Sequence, residues 1–521
     1  MGASRRHRSY PRERHEPRRA RDGRRPLPGD HPRAHRSRLD GSGRRRALPH
    51  PDRRTGDGGC RRGDAAGLRE GGGMTALRLV EARWAERPVR MRLPFQFGST
   101  EVRETAEAHA SVTIEVGGKR ETGRSAQLMV PRWFDKRASM SNADTIDELR
   151  TTVRTAVEKA PGLTGPAVAV SRDLRAEVAA ALPDVPGLAA GFGPALLEMA
   201  VIDALCSAAK VPFWRAARDD LFGLAKDLPS DLNAEALSTS LSRIEAPRRI
   251  SLRHTIGFDA PLRGQDVSAE ARPDDLPVAL DEVIARTGIS GFKIKLKGDP
   301  AADLARLRDI SGIVGGLPGL TVTLDANEQY ATDAFAAFLD GLEKDAALAP
   351  IRAATRFVEQ PFPRETALTE RVSPPLPLII DESDDSEEAF PRALELGWSG
   401  TSIKSCKGVL RALLNKARAE AAGAVLSGED LTCQPGLCWQ QDTAMMSACG
   451  VRDVERNGHH FAGGLQSTSP EERRHFAEAH PDIYLVANDA TGLRIQEGAI
   501  DIQSLGVSGF GCETINLPPL T

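Results

Sequence analysis

The sequence predicts an α/β protein built on a TIM-type barrel, with a smaller α+β domain ahead of it. Three observations carry this. From Arg249 onward, short apolar or β-branched runs alternate with helix-like segments six times in succession, as a parallel sheet requires. The repeat length and total span suit a closed barrel, with an open doubly wound sheet as the alternative. Between Met74 and about Leu224, strand-like runs come first and helix-like runs follow.

The chain of 521 residues is long enough for two or three domains, and its 40% hydrophobic and 27% charged content is that of a soluble globular protein. The net charge of −2 hides a split. Residues 1–73 hold 21 Arg, no Lys and nine acidic residues, a local charge of +12, against −14 for the remainder. This Arg/Pro/Gly-rich segment has almost no aliphatic content, cannot offset chain entropy by burial, and is expected to be disordered. A basic arm for nucleic acid is its functional reading. An upstream extension without selected function, with Met74 as the working start, is the reading preferred, so no nucleic-acid partner is expected. No secretory leader is read, nor any apolar run approaching a membrane span. Seven cysteines at irregular spacing give no disulfide framework. A cytoplasmic, reduced protein is expected, without a membrane partner and assembled as a homo-oligomer.

The first domain is taken as residues 74–245. ALRLVEARWAE, AEAHASVTIEVGG and ETGRSAQLMVP read as a three-stranded antiparallel meander. RMRLPFQFGSTEVRE, between the first two, reads as a loop-like insert. DTIDELRTTVRTAVEKA, LRAEVAAAL and GPALLEMAVIDALCSAAK carry apolar residues at helical spacing. The barrel is taken as 246–465. Its strands are ISLRHTIGF, GFKIKLK, TVTLDAN, TRFVEQPF, LPLIIDES, TSIKSCK and AVLSGED, and its helices include PAADLARLRDISGIV and GVLRALLNKARAEAAG. Residues 466–521 form a tail expected to pack back on the first domain. No G-x-G-x-x-G or Walker sequence stands at a strand end, so nothing supports nucleotide binding.

Polar residues fall at one place in these strands. Lys293 and Lys295 lie at alternate positions of the second and share a face. Asp325 and Asn327 end the third, Glu359 the fourth, and Asp381 and Glu382 the fifth; Lys404 is in the sixth. C-terminal strand ends of a barrel converge on one mouth. Buried unpaired carboxylates are costly, and a hard divalent cation resolves that cost with oxygen ligands. Any one of these acids alone reads as a helix cap or loop acid; three in register do not. Lys293, Lys295 and Lys297 taken alone read as the solvated edge of a sheet.

The set FKIKLK, LDANE, VEQPF, IIDES and SIKSCKG resembles the enolase superfamily, and within it the muconate-lactonizing-enzyme-like subgroup. The resemblance covers about residues 75–465 and includes GPALLEMAVIDALCSAAKVPFW. It implies a (β/α)7β barrel with an N-terminal α+β capping domain. It implies Asp325, Glu359 and Asp381 as ligands of Mg2+, with Mn2+ as an alternative. Lys295 and Lys404 become the acid/base pair on opposite faces of a small-molecule carboxylate substrate. Lys293 becomes the companion of Lys295, and Asn327 and Glu382 support the metal shell. A base must be neutral to act, and the like charge of Lys293 and of the metal is the expected means of lowering the Lys295 pKa. Lys297 is placed beyond the mouth.

Two departures bear on substrate. Strand seven reads VLSGEDL, with no His, against dehydration of acid sugars by a His–Asp dyad. HHFAGGL, with His460 and Ala462, stands where dipeptide epimerases carry an acidic pair. Glu429 and Asp430 are candidates for a cationic group or for a helix cap; His254 is read as structural. Phe95, Phe97, Met129, Trp133 and Phe134 suggest an apolar pocket or an interdomain core. The expected activity is removal of the proton α to a carboxylate through a metal-stabilised enolate, in a racemase, epimerase or cycloisomerase. The alternatives are an o-succinylbenzoate-synthase-like dehydratase and a non-catalytic barrel binding protein.

Overall fold

The computed structural model describes residues 76–98, 100–487 and 490–513; the N-terminal extension, read at 1–73, lies outside them. The first element is a four-stranded antiparallel sheet, ordered Lys119–Met129, Thr100–Val116, Leu77–Phe97, Thr164–Gly165. The segment read as a loop-like insert is instead the far end of its long hairpin, with Phe95 opposite Val102 and Phe97 opposite Thr100. The alternation was present: Met91, Phe95 and Phe97 are buried between polar neighbours. Pro94 interrupts it, at a register shift between Arg90 and Phe95.

Helices cover one face of this sheet. Asn142–Lys159 starts at a capping box in which the Ser141 hydroxyl accepts from Asp144 N at 3.2 Å and the Asp144 carboxylate accepts from Ser141 N at 2.8 Å. Phe192–Ala209 is buried all round and runs against sheet and helix alike. A Cβ on Gly193 would stand 2.3 Å from the Thr152 carbonyl, and one on Gly123 2.2 Å from that of Ala200. Only glycine allows this approach. The 23-residue stretch Gly187–Ala209 is long and apolar enough to cross a membrane, contrary to the sequence reading. Its most apolar window is 94% buried inside the protein, which makes it a core helix.

Eight parallel strands then close a barrel: Arg249–Ile256, Gly291–Lys295, Thr321–Asp325, Thr355–Glu359, Leu378–Ile380, Gly400–Ile403, Val425–Gly428 and Asp453–Glu455. Closure comes from pairing of strand eight with strand one, Val454 opposite Leu252. An open sheet is thereby excluded. A final strand, Ala499–Asp501, adds antiparallel to strand one. Residues after the barrel also reach the first domain, where Phe510 N donates to Asp203 at 2.8 Å and Phe510 packs on Phe213.

Candidate active site

Alternation along strand two sends Phe292 and Ile294 outward and Lys293 and Lys295 into the barrel. Strand register then sets Lys295 beside Asp325 and Asp325 beside Glu359. Asp381 follows strand five, Lys404 strand six and Glu429 strand seven, while Glu455 ends strand eight. All of these side chains are buried, the carboxylates at 0–1% exposure and Lys293, Lys295 and Lys404 at 2%, 6% and 3%. The structure thus gathers every site residue read from the sequence at one end of the barrel.

Lys293 is the hub. Its Nζ lies 3.0 Å from Asp325, 2.9 Å from Glu359, 2.8 Å from Glu429 and 3.0 Å from Glu455. Burial alone would strip its proton, but these carboxylates outweigh it and hold the ammonium well above its usual pKa. The expectation that Lys293 lends an unbalanced positive charge to Lys295 is therefore corrected, because that charge is spent on acids. Lys295 Nζ donates to Asp325 at 2.5 Å and to Asn327 Oδ1 at 2.9 Å. Lys297 lies half exposed beside Asp259, its Nζ 5.2 Å from the Phe258 ring.

On the far wall, Lys404 Nζ meets Asp381 Oδ1 at 2.5 Å and sits 5.0 Å from the centre of the Trp133 ring. Burial opposes its charge, but Asp381 and Glu359 prevail and raise its pKa. Lys407, which the sequence reading missed, also binds Asp381 at 2.9 Å. Burial would raise Asp381, but Lys404, Lys407 and Lys293 hold it well below the carboxylate range. Asp325 is likewise held low, by Lys293 and Lys295 against burial. Glu359 goes the other way: burial and the charges of Asp325 and Glu429 push it well up.

A supporting layer fixes these groups. Glu382 accepts from Lys136 at 2.9 Å and from Asn327 Nδ2 at 3.1 Å. The Gln360 amide oxygen accepts from Asp381 N at 2.8 Å and Ser383 N at 3.2 Å, pinning the loop after strand five. Asn327, Glu328 and Gln360 all have positive φ, a conformation costly for such residues and common at active sites. Glu429 binds Arg253 at 2.9 Å as well as Lys293, so its role is to pair buried cations within the barrel. Asp430 caps a turn by accepting from Cys433 N at 2.7 Å and Asn457 N at 2.9 Å, and burial lifts its pKa to about 6. Arg253, Glu455, Gln360, Lys136 and Lys407 were missed. Arg253, a charge within the apolar run ISLRHTIGF, carried a signal that could have revealed it; the three-residue strand of Glu455 carried none.

Of the aromatic candidates, Trp133 reaches Lys404. Phe134 packs on Trp133 and Phe192, and Phe95 on Phe97 and Phe461, as core. His254 lies outside the barrel lumen, since its neighbours Arg253 and Thr255 face in; its ring meets His460 edge-on at 4.8 Å. His460 and Ala462 lie on the turn Gly458–Ala462 after strand eight, which carries no acid.

Among the described residues no group of three or more His, Cys, Asp or Glu is arranged to hold a metal ion as it stands. Lys293 occupies the space between Asp325 and Glu359, and Lys404 and Lys407 cover Asp381. The donor set nonetheless fits a hard divalent cation. Three buried carboxylates stand on successive strands, Glu359 is raised by burial and by the charges of Asp325 and Glu429, and its Oε2 accepts no hydrogen bond.

Comparison with known proteins agrees with this geometry. Residues 275–480 match the family described as Enolase C-terminal domain-like. No curated protein matches the chain. Among solved structures the chain is similar to a mandelate racemase/muconate lactonizing protein from Herpetosiphon aurantiacus, at 19% identity over 83% of this chain and 98% of that one, TM-score 0.52. It is similar to the L-Ala-D/L-Glu epimerase from Bacillus subtilis, at 16% identity over 83% and 98%, TM-score 0.53. A third is an enolase from Bradyrhizobium complexed with magnesium and mandelic acid, at 18% identity over 82% and 94%, TM-score 0.51. At these identities the likeness is one of fold.

Proposed function

We propose that this chain, whose residues 275–480 belong to the enolase C-terminal domain-like family, is an isomerase acting at the carbon α to a substrate carboxylate. One observation carries the reading. Lys295 ends strand two and Lys404 follows strand six, four apart in a closed ring of eight, with Lys295 on Asp325 and Lys404 on Asp381, which supports a reading with one lysine on each side of the substrate. One lysine removes the proton and the other returns one to the opposite face, which inverts the carbon.

Asp325, Glu359 and Asp381 are the residues that would hold Mg2+ or Mn2+, which when bound supplies the positive charge that an enolate needs. Asn327 keeps Lys295 aimed into the mouth and is itself tied to Glu382. Gln360 keeps Asp381 in place. Trp133 covers Lys404 and excludes water beside it. As long as Asp381 grips Lys404, that lysine is an acid; it serves as a base once Asp381 engages another cation. The acid-free turn Gly458–Ala462 offers no partner to a substrate ammonium, favouring N-blocked or amine-free carboxylates over dipeptides.

The test is exchange in D2O, followed by proton NMR, with N-acyl amino acids, aromatic acids and dipeptides. The expected result is Mg2+-dependent α-deuteration of at least one substrate. Lys295→Ala and Lys404→Ala should each abolish exchange from one enantiomer and spare the other. Equal exchange in EDTA-treated and Mg2+-loaded protein would refute the metal assignment, and loss from both enantiomers in either variant would refute the two-base assignment.

A further inference from the structure

A second charged cavity lies between the helices of the first domain and the flank of the barrel. It has a volume of about 270 Å3, and none of the lysines or carboxylates of the mouth lines it. Its walls carry Arg172 and Arg175 from the helix Ala167–Ala181, Arg411 from the helix Val409–Ala422, and Asp385 and Glu387 from the loop after strand five.

The pairing in this cavity is incomplete. Glu198 is saturated by Val409 N at 2.6 Å, Leu410 N at 3.1 Å and the Ser171 hydroxyl. Arg175 Nη2 comes no nearer to it than 3.5 Å. That nitrogen is sealed from solvent and has no hydrogen-bond partner. Its place is built: a Cβ on Gly408 would lie 2.6 Å from Nη2, and one on Gly191 3.2 Å from Nη1. Arg172 is taken by Asp227 and makes a long ion pair, 3.7 Å, to Glu387, whose Oε1 is also sealed and accepts no hydrogen bond. Arg411 donates to the Asp384 carbonyl at 3.0 Å. Among the described residues no carboxylate forms an ion pair with Arg411, and no cation forms one with Asp385. Burial lowers the Arg175 pKa; Glu198 opposes this in part, and Arg411 beside it lowers it further.

Two guanidinium forks, Arg175 and Arg411, and two carboxylates, Asp385 and Glu387, therefore line one cavity; they feel each other's charge, but among the described residues no close ion pair joins fork to carboxylate. A simple anion there would face Asp385 and Glu387, and a simple cation would face the arginines. A molecule with both charges a few bonds apart satisfies both walls. We propose that this cavity binds a small zwitterion of the α-amino-acid class, its carboxylate on Arg175 and Arg411 and its ammonium on Asp385 and Glu387.

Calorimetric titration of the full chain with glycine, L-alanine and L-serine tests this, with acetate and methylammonium as single-charge probes. Saturable binding of at least one amino acid is expected, with each single-charge probe at least tenfold weaker. Asp385→Asn, which keeps shape and removes charge, and Arg411→Met should each weaken the amino acid at least tenfold. Lys404→Ala, which alters only the mouth, should leave its affinity unchanged. Absence of saturation, acetate binding as tightly as the amino acid, insensitivity to Asp385→Asn, or loss of binding in Lys404→Ala would each overturn the proposal.

Discussion

Replacing Lys293 by Met removes the cation shared by four buried carboxylates. The cost is not four ion pairs. Asp325 keeps Lys295, Glu429 keeps Arg253, and Glu455 keeps Asn457 Nδ2 at 3.0 Å. Among the described residues Glu359 and Glu455 both lose their ion-pair partner, but Glu455 keeps neutral hydrogen bonds, whereas Glu359 Oε2 already lacks one. Breaking one buried pair by removing one member costs about 3–5 kcal/mol. With an unfolding entropy of about 2.1 cal/mol/K per residue, that is a fall of about 3–5 °C in Tm for a chain of this size. The sign with pH follows from the shifts. In the wild type Asp325 is held low by Lys293 and Lys295, and Glu429 by Arg253 and then Lys293, a stability present above the usual carboxylate pKa and lost as pH falls through their depressed values. Without Lys293 part of that depression is lost, and Glu359, already raised, rises further and binds its proton more tightly folded than unfolded, so the deficit shrinks on acidification. The deficit should therefore be largest near pH 8 and shrink towards pH 5. Calorimetry of EDTA-treated protein measures it, and the Lys293→Met/Glu359→Gln double variant should recover more than half. A loss below about 1 kcal/mol, or a deficit that grows on acidification, refutes this reading; so does a double variant as unstable as the single one.

Three further outcomes are expected. Gly193→Ala drives a methyl into the Thr152 carbonyl and should cost about 1–3 kcal/mol, read from the melting temperature. Cys206, Cys406, Cys433, Cys438, Cys449 and Cys512 are all free and buried, so a Cys60→Ser protein should show no fast-reacting thiol by Ellman assay until denaturant is added. Trp133→Leu removes the ring beside Lys404 and should lower exchange from the enantiomer that Lys404 serves, with the Lys295 half-reaction spared.

The barrel was legible because its strands are short apolar runs with charges at or near one end, and a charge inside such a run is costly unless function or pairing requires it. Lys293, Asp325 and Glu359 were found this way. Their partners were not, because strand order tells which residues share a wall and says little of which side chains touch across the lumen. Glu455 reaches Lys293 across 162 positions, and Lys136 reaches Glu382 across 246. Sequence alternation placed Lys293 beside Lys295 but did not reveal the four carboxylates around Lys293. The hairpin ending near Phe97 was hidden by one proline, and the Gly187–Ala209 helix carried no amphipathic stripe because protein covers every side of it.

The short strand Ala499–Asp501 occupies the edge of strand one below the point where strand two begins, since Arg253 is the first residue opposite Gly291 and Leu252 N donates to Gly498 O at 2.8 Å. Without it, the lower part of strand one would present free backbone donors and acceptors in an otherwise edgeless ring, a template for pairing with another chain. The tail thus protects the solubility of a barrel whose chemistry lies at the opposite end, and deletions from residue 498 onward would show themselves first as self-association.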